Sequence, residues 1–171
     1  REKIGTVLQE PYLFSRTLSE NIGMADRNAE MKDIRRAARI ASIDDAIESF
    51  TNGYQTFVGE RGVTLSGGQK QRTAIAQMLV RKPPVMVFDD SLSAVDAETD
   101  MKIRHAIREN TGESTVILIA HRITTIMNAD HIIVLDQGRI REQGTHEELL
   151  AKDGLYRKIY NLQTAGVDVT A

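Results

Sequence analysis

A turn of a serine and two glycines is the first feature of this chain that could do chemistry. Ser66, Gly67 and Gly68 precede an apolar helix. Glycines let a backbone approach an anion, and the unpaired N–H groups at the positive end of the following helix point at it. Ser66 adds a hydroxyl donor, although the turn alone favours a serine that merely caps a helix. A strand ending in Asp89 and Asp90 follows that helix, and the two features together indicate a phosphate-binding site.

Polar residues also stand where apolar runs end, and Gln9, Asp89, Asp90 and His121 all occupy such positions. In open α/β sheets, ligands gather beyond the carboxyl ends of parallel strands. Asp89 suits Mg²⁺, which prefers oxygen ligands. Asp90 would sit beside an attacking water, and His121 could reach a phosphate. Taken singly, His121 is a surface histidine that opens the next helix, and Gln9 is ordinary strand-end solvation; together the four residues favour a site.

The composition bounds the class of protein. The chain has 171 residues, of which 41% are apolar and 27% charged, and this balance is typical of a soluble globular α/β protein. A net charge of −2 gives no basic footprint for nucleic acid, and the absence of cysteine excludes disulfides and thiolate metal sites. No apolar run approaches the roughly 20 residues of a spanning helix. We expect a piece of a longer protein, because the chain begins at Arg1 and carries no signal peptide.

The order of apolar patterns predicts where helices and strands lie. A short strand over 3–8 precedes a helical region, in which Asn28 is predicted to cap one helix. Residues 54–64 are predicted to be a loop. After residue 82 strand and helix alternate, with a hairpin across 136–138 and a capping box of Thr145 and Glu148.

These pieces, in this order, resemble the nucleotide-binding domain of ATP-binding-cassette (ABC) proteins over nearly the whole chain. The resemblance implies an α/β fold of the P-loop NTPase (RecA-like) type, a parallel sheet with a helical subdomain, truncated at its N-terminus. It divides the chain into a strand and Q-loop over 1–9, a helical subdomain over 10–82, and a RecA-like core over 83–171. The matching motifs are the Q-loop glutamine Gln9, the signature loop Leu65–Gln69, the Walker B strand Val85–Asp89, the D-loop Ser93–Asp96 and the switch histidine His121.

The resemblance implies ATP and Mg²⁺ as cofactors and assigns a role to each matching residue. Two such domains meet head to tail in this family, so the signature loop of one completes the ATP site of the other. The implied catalytic residues are Asp90, His121 and Gln9; the implied metal ligands are Asp89 and Gln9; the implied nucleotide contacts are Leu65, Ser66, Gly67, Gly68, Gln69 and Asp96.

Two segments look like the exporter branch of the family. One is the run 9–14, and the other is Val58–Gly62, which matches the x-loop that lies near the coupling helices of the membrane domain. The resemblance thus implies a transmembrane domain as partner and a location at the cytoplasmic face of the cell membrane. The alternative for the x-loop match is that Gly59 and Gly62 only shape a tight loop, with Glu60 and Arg61 solvated.

The chain departs from the family pattern in two places. The Gly-rich Walker A loop with its lysine would lie upstream of Gln9, and it does not occur in this sequence. The position after the Walker B aspartate is usually glutamate, the general base, and here it is Asp90, which has one methylene less reach. This exchange resembles the degenerate site of heterodimeric exporters, although Asp90 could still serve as base after a small backbone adjustment.

Three functions are therefore compared. The first is an ATP-hydrolysing subunit of an exporter, one half of a heterodimer. The second is a regulatory module whose Asp90 site holds ATP without turning it over. The third is a soluble cassette ATPase, which is less favoured because such proteins tend to carry coiled-coil or basic insertions that this chain lacks.

We expect the isolated 171-residue chain to bind ATP weakly and not to hydrolyse it, because its sequence contains no Gly-rich lysine loop to grip phosphate. Phosphate release by the purified chain in the presence of Mg²⁺ tests this. Turnover that disappears when Asp89 is changed would contradict the expectation.

Overall fold

The computed structural model describes residues 3–62, 64–92, 94–112 and 114–165. The chain forms two compact units, Arg1–Ile119 and Ala120–Ala171. In chain order, the first unit contains β1 (Ile4–Val7), β2 (Arg16–Thr17), α1 (Leu18–Gly23), α2 (Met31–Ile40), α3 (Asp44–Glu48), β3 (Phe57–Val58), α4 (Gly67–Val80), β4 (Val85–Asp89), α5 (Ala97–Thr111) and β5 (Thr115–Ile119). The second contains α6 (Ile123–Ile126), β6 (Ile132–Asp136), β7 (Arg139–Gly144), α7 (His146–Ala151) and α8 (Leu155–Thr164).

A three-stranded parallel sheet in the order β1-β4-β5 forms the centre of the first unit. Val7 is paired with Phe88, and Phe88 with Leu118, so the three strands end at the same edge. Val7 and Phe88 are buried on the side of the sheet that carries the core. The opposite face is open: Ile117 and Ile119 remain about half exposed.

Helix α4 packs against β1 at very short range. A Cβ atom added to Gly5 would lie 2.6 Å from Met78 Cγ and 2.7 Å from Pro83 Cγ, so the position has no room for a side chain. Ile75 and Leu79 on the same helix are buried in the core of the first unit. A glycine in β1 therefore allows the helix to approach the strand.

The segment between β1 and α4 departs from the sequence prediction in two respects. Asn28 does not cap α2, because Glu30 holds the N-cap position and makes no side-chain cap hydrogen bond. The predicted loop over 54–64 contains β3, which pairs antiparallel with β2, and 3-10 turns at Gly53–Gln55 and Glu60–Gly62. Two-residue strands leave no periodic pattern, so sequence reasoning has no signal for them.

Asn21 fixes the chain that follows the Q-loop. The side chain is fully buried on α1, and its Oδ1 accepts the Phe14 N–H at 2.8 Å. Its Nδ2 donates to the carbonyl oxygens of Phe14 and Thr17, each at 3.0 Å. A buried amide with several partners holds the backbone over 14–17 against α1.

The second unit confirms the predicted hairpin and the predicted capping box. Strands β6 and β7 are antiparallel, and the turn between them has Gln137 and Gly138 at φ values of 47° and 74°, as a type I′ turn requires. Thr145 Oγ1 accepts the Glu148 N–H at 3.3 Å, and Glu148 Oε2 accepts the Thr145 N–H at 3.0 Å. The small core of this unit is formed by Ile123, Ile132, Leu149 and Tyr156.

Among the residues that the structure describes, every helix is too short or too polar to cross a membrane.

Replacing Gly5 by alanine should destabilise the protein by about 1–3 kcal/mol, because the new methyl group would force apart β1, Met78 and Pro83. The measurement is thermal unfolding of the purified protein. Gly67→Ala is the matched control: nothing lies within 4 Å of its added Cβ, and alanine is the better helix former, so stability should hold or rise. Equal effects of the two substitutions would contradict the close approach at Gly5.

Candidate functional site

The N-terminus of α4 is closed by a reciprocal cap. Ser66 Oγ accepts the Gln69 N–H at 3.3 Å, and Gln69 Oε1 accepts the Ser66 N–H at 2.9 Å. The Ser66 hydroxyl acts only as an acceptor in this cap, so its proton can still be donated to a ligand. Capping and phosphate binding are thus compatible roles for Ser66, which is exposed.

Gly67 and Gly68 begin the helix and differ in what surrounds them. Nothing lies within 4 Å of a Cβ added to Gly67, so this side of the helix start is open. The N–H groups of the first helical residues have no carbonyl partner within the helix. The first turn of α4 therefore begins at an open position and carries N–H donors at the positive end of the helix dipole, an arrangement that suits phosphate oxygens.

Gly68 instead faces the D-loop segment of the same chain. A Cβ added there would lie 3.2 Å from the carbonyl oxygen of Ala94, a tighter approach than side-chain contacts normally make. Arg72 holds the other side of this turn, donating from Nε to the Gly68 carbonyl at 3.2 Å and from its guanidinium to the Ser42 carbonyl at 2.5 Å. Neighbouring segments thus fix the orientation of the helix start.

The remaining signature and D-loop residues have mainly local partners. Leu65 is buried in the core of the first unit. The Asp96 carboxylate caps α5, accepting the Thr99 N–H at 2.9 Å. This hydrogen bond, together with others and the charge of Arg72, lowers the pKa of Asp96, so the side chain stays ionised. Ser93, also part of the D-loop match, lies outside the described residues.

The carboxyl ends of β1 and β4 bring Gln9 and Asp90 together. Because Val7 pairs with Phe88, the residues two positions later are neighbours. Gln9 Nε2 donates to Asp90 Oδ2 at 3.4 Å. The Asp90 backbone N–H donates to the Ile119 carbonyl at 2.8 Å, which ties this position to β5 as well. Gln9 and Asp90, both expected at the ends of strands, therefore lie within hydrogen-bond distance of each other.

Asp90 has a backbone φ of 45°, in the left-handed region. Aspartate is among the non-glycine residues that occupy this region most readily. Departures of this kind occur at functional sites, where the surrounding structure holds them. The backbone bend begins directly after Asp89, the last residue of β4.

His121 lies in the second unit, two residues beyond β5. Its side chain is exposed, and its carbonyl oxygen accepts Gln163 Nε2 at 2.8 Å. Gln163 also accepts the Ile123 N–H at 2.9 Å, so α8 holds the backbone on both sides of Arg122. The contact of the His121 side chain with a γ-phosphate stays a prediction.

The predicted x-loop has a bent backbone. Arg61 and Gly62 have φ values of 55° and 72°, and the Gly62 N–H donates to the Gly59 carbonyl at 2.8 Å. A Cβ added to Gly62 would lie 3.3 Å from Leu13 Cδ1, so the loop lies against the segment after the Q-loop. This conformation fits the tight-loop reading of the glycines and leaves the exporter reading untested.

One contact of the site escaped sequence reasoning. Gln71, buried on α4, donates from Nε2 to the carbonyl oxygen of Gln9 at 2.5 Å. The sequence gives no clear signal for it, because Gln71 lies in a polar run, Gln69–Thr73, in which its burial cannot be told apart from that of its neighbours.

Within the described ranges, no group of three or more His, Cys, Asp or Glu side chains could hold a metal by itself. Mg²⁺ in nucleotide sites commonly uses one or two carboxylates, with the other ligands from phosphate and water. The chemistry of the donors at the β1 and β4 ends, Asp89 carboxylate and Gln9 amide oxygen, fits such a shared site.

Comparison with known proteins places these features in a family. Residues 1–93 match the family model described as ABC transporter. The chain is 47% identical over 163 residues to the uncharacterized ABC transporter ATP-binding protein YknU of Bacillus subtilis, covering 95% of this chain and 28% of that protein. It is 48% identical over 168 residues to the mitochondrial ATP-binding cassette sub-family B member 10 of Mus musculus, covering 96% and 24%.

A solved structure is also similar to this chain. The structure of a bacterial Atm1-family ABC exporter with ATP bound superposes with a TM-score of 0.94 at 44% identity, covering 96% of this chain and 29% of that one. This chain spans about a quarter of the length of the relatives that it matches. The α/β fold expected from the sequence is confirmed, and the chain belongs to the ABC transporter family.

Proposed function

We propose that this chain is the ATP-binding and ATP-hydrolysing part of an ABC exporter, which couples ATP binding and hydrolysis to export of a substrate across a membrane. The observation that carries the proposal is the contact of Gln9 with Asp90 at the carboxyl edge of the parallel sheet, at 3.4 Å. An amide and a carboxylate at this edge can orient a water molecule for attack on a phosphate. The names of the relatives, ABC transporter ATP-binding proteins and an exporter, support the same reading.

The two groups of site residues serve different nucleotides in a head-to-tail dimer. The exposed start of α4, with Ser66 and Gly67, is directed at a nucleotide held by a second nucleotide-binding domain. Gln9, Asp89 and Asp90 serve the nucleotide of this chain, with His121 as a further ligand of its γ-phosphate. Four further residues support Ser66 and Gly67 through backbone contacts and helix caps: Leu65, Gly68, Gln69 and Asp96.

Mg²⁺ would be held by Asp89 and Gln9, together with oxygen atoms of the nucleotide. When bound, it would supply positive charge that stabilises the negative charge of the nucleotide's phosphate groups. Asp90 then accepts a proton from the attacking water, and the Gln9 amide, donating to Asp90 Oδ2, fixes the direction of that carboxylate.

We further propose that the partner is a different chain and that the Asp90 site is the slow one of a heterodimer. Aspartate reaches less far than the usual glutamate, and a misplacement of about 1 Å can cost roughly a hundredfold in rate. An ATP-retaining, regulatory role of this site is the second candidate, favoured by the same residue. A soluble cassette ATPase is less supported, because the solved structure to which this chain is 44% identical is that of an exporter.

The proposed organisation keeps three parts: a strand and Q-loop over 1–9, a helical subdomain over 10–82 and a RecA-like core over 83–171. The helical subdomain and x-loop face the transmembrane domain of the exporter. In that arrangement the domain lies at the cytoplasmic face of the cell membrane.

Asp90→Glu in the full-length protein should raise ATP turnover at this chain's own site, because the longer side chain brings the base closer to its water. Site-resolved hydrolysis measurements test this. Asp130→Glu, an exposed aspartate outside the site, is the matched control and should change nothing. An unchanged rate in Asp90→Glu would mean that something other than reach limits the site.

Ser66→Arg and Asp90→Asn should change the ATP turnover of the assembled complex to very different extents. Ser66 and the start of α4 donate to a phosphate on which charge develops, and loss of such a donor costs roughly a hundredfold or more. Ser66→Arg also places a bulky side chain where the phosphate would bind, so it should nearly abolish turnover. Asp90→Asn should change total turnover little.

The measurement is steady-state ATPase activity with an unmodified partner. Asn110→Arg adds the same charge at an exposed position near the end of α5 and should leave turnover unchanged. Turnover that is lost in Asp90→Asn and kept in Ser66→Arg would refute the slow-site proposal and make Asp90 a working base.

A further inference from the structure

Gln71 connects two parts of the site that are far apart in the sequence. It lies on α4 with 3% of its surface exposed, and Ala74 and Ile75 of the same helix are also buried. Its Nε2 donates to the carbonyl oxygen of Gln9 at 2.5 Å. The signature helix is thereby joined to the backbone of the Q-loop.

This hydrogen bond is not explained by stability. Within the described ranges, the Oε1 atom of Gln71 is buried without any hydrogen-bond partner. A buried acceptor that lacks a partner costs free energy, whereas an apolar side chain of the same shape would not. The amide at position 71 is therefore a local conflict of the kind that marks functional positions.

Gln9 is held from both directions. Its carbonyl oxygen accepts from Gln71, and its side-chain Nε2 donates to Asp90 Oδ2 at 3.4 Å. Gln71 thus sets the position of the Gln9 backbone, and the Gln9 side chain reaches Asp90 from that position.

The other end of the connection is the start of α4. Gln71 is the fifth residue after Ser66, and the Lys70 N–H already donates to the Ser66 carbonyl at 2.9 Å. Thr73 Oγ1 donates to the Gln69 carbonyl at 2.8 Å within the same turn. A capped helix of this kind moves as a unit. A displacement of the Q-loop backbone would therefore displace the start of α4 at Ser66 and Gly67, where phosphate is proposed to bind.

We propose that Gln71 is a positioning residue that locks the Q-loop at Gln9 to helix α4, so that the geometry at Asp90 and at the start of α4 is set jointly. The two nucleotide sites of the dimer to which this chain contributes are then coupled through one side chain. This inference rests on the proposed function and adds how the site at Asp90 and the site at the start of α4 are connected.

The test replaces Gln71 by methionine, which has a similar shape and cannot donate, in the full-length protein assembled with its partner. ATP hydrolysis at this chain's own site, followed by the site-resolved measurement, should fall about tenfold or more, since misplacement of about 1 Å can cost roughly a hundredfold. The thermal unfolding midpoint should stay unchanged or rise, because an unsatisfied buried acceptor is removed. Gln77→Met is the control: the same residue type on the same helix, half-buried, with turnover expected to be unchanged.

A cycle with Gln9→Ala separates positioning from structure. Gln9→Ala keeps the carbonyl oxygen that Gln71 binds but removes the side chain that reaches Asp90. If Gln71 acts through Gln9, Gln71→Met should lower hydrolysis at this chain's own site much less in the Gln9→Ala background than alone. Additive effects, a parallel loss of stability and turnover in Gln71→Met, or unchanged turnover would each overturn the proposal.

Failure of the proposed function has a different signature. An assembled complex that lacks ATP turnover without any substitution would count against that function alone. The same cycle would then be measured on the affinity for Mg·ATP, where the positioning role again predicts non-additive effects of Gln71→Met and Gln9→Ala, and additivity overturns it.

Discussion

The close packing of α4 against β1 is the constraint on which the rest of the site depends. Gly5 leaves no space for a side chain, so the helix axis is held at a fixed short distance from the strand that leads to Gln9. A parallel sheet brings the ends of β1 and β4 to one edge, and the helix start at Ser66 is placed relative to that edge by the same contact. A wider spacing would separate Gln71 from the Gln9 carbonyl.

Sequence reasoning predicted the parts that rest on strong periodic or capping signals. The run that ends in Asp89 and Asp90 predicted a strand, and Thr145 with Glu148 predicted a capping box; the structure confirms both and pairs the strand in parallel with β1 and β5. Asn28 as a helix cap was wrong, since a capping residue type does not by itself fix which position begins the helix. The β2–β3 pair and the Gln71 contact were missed, because both depend on residues that are distant in the sequence.

Ser66 and Asp96 show how a structural and a functional reading can share one residue. Both side chains cap helices, yet they retain different capacities for a ligand. Ser66 keeps a proton to donate, whereas the Asp96 carboxylate has only acceptor lone pairs, and its lowered pKa keeps it negative. A direct contact of the Asp96 carboxylate with phosphate is thus electrostatically unfavourable, and in the structure this carboxylate caps α5.

Strand β5 has a consequence for handling the protein. Within the described residues it has a neighbouring strand on one side only, and its apolar residues Ile117 and Ile119 are about half exposed. An unpaired apolar strand edge is a template for pairing with another chain. Preparations of this 171-residue chain should therefore self-associate as their concentration rises, and lysine introduced on the outer face of β5 is the direct means of keeping them monodisperse.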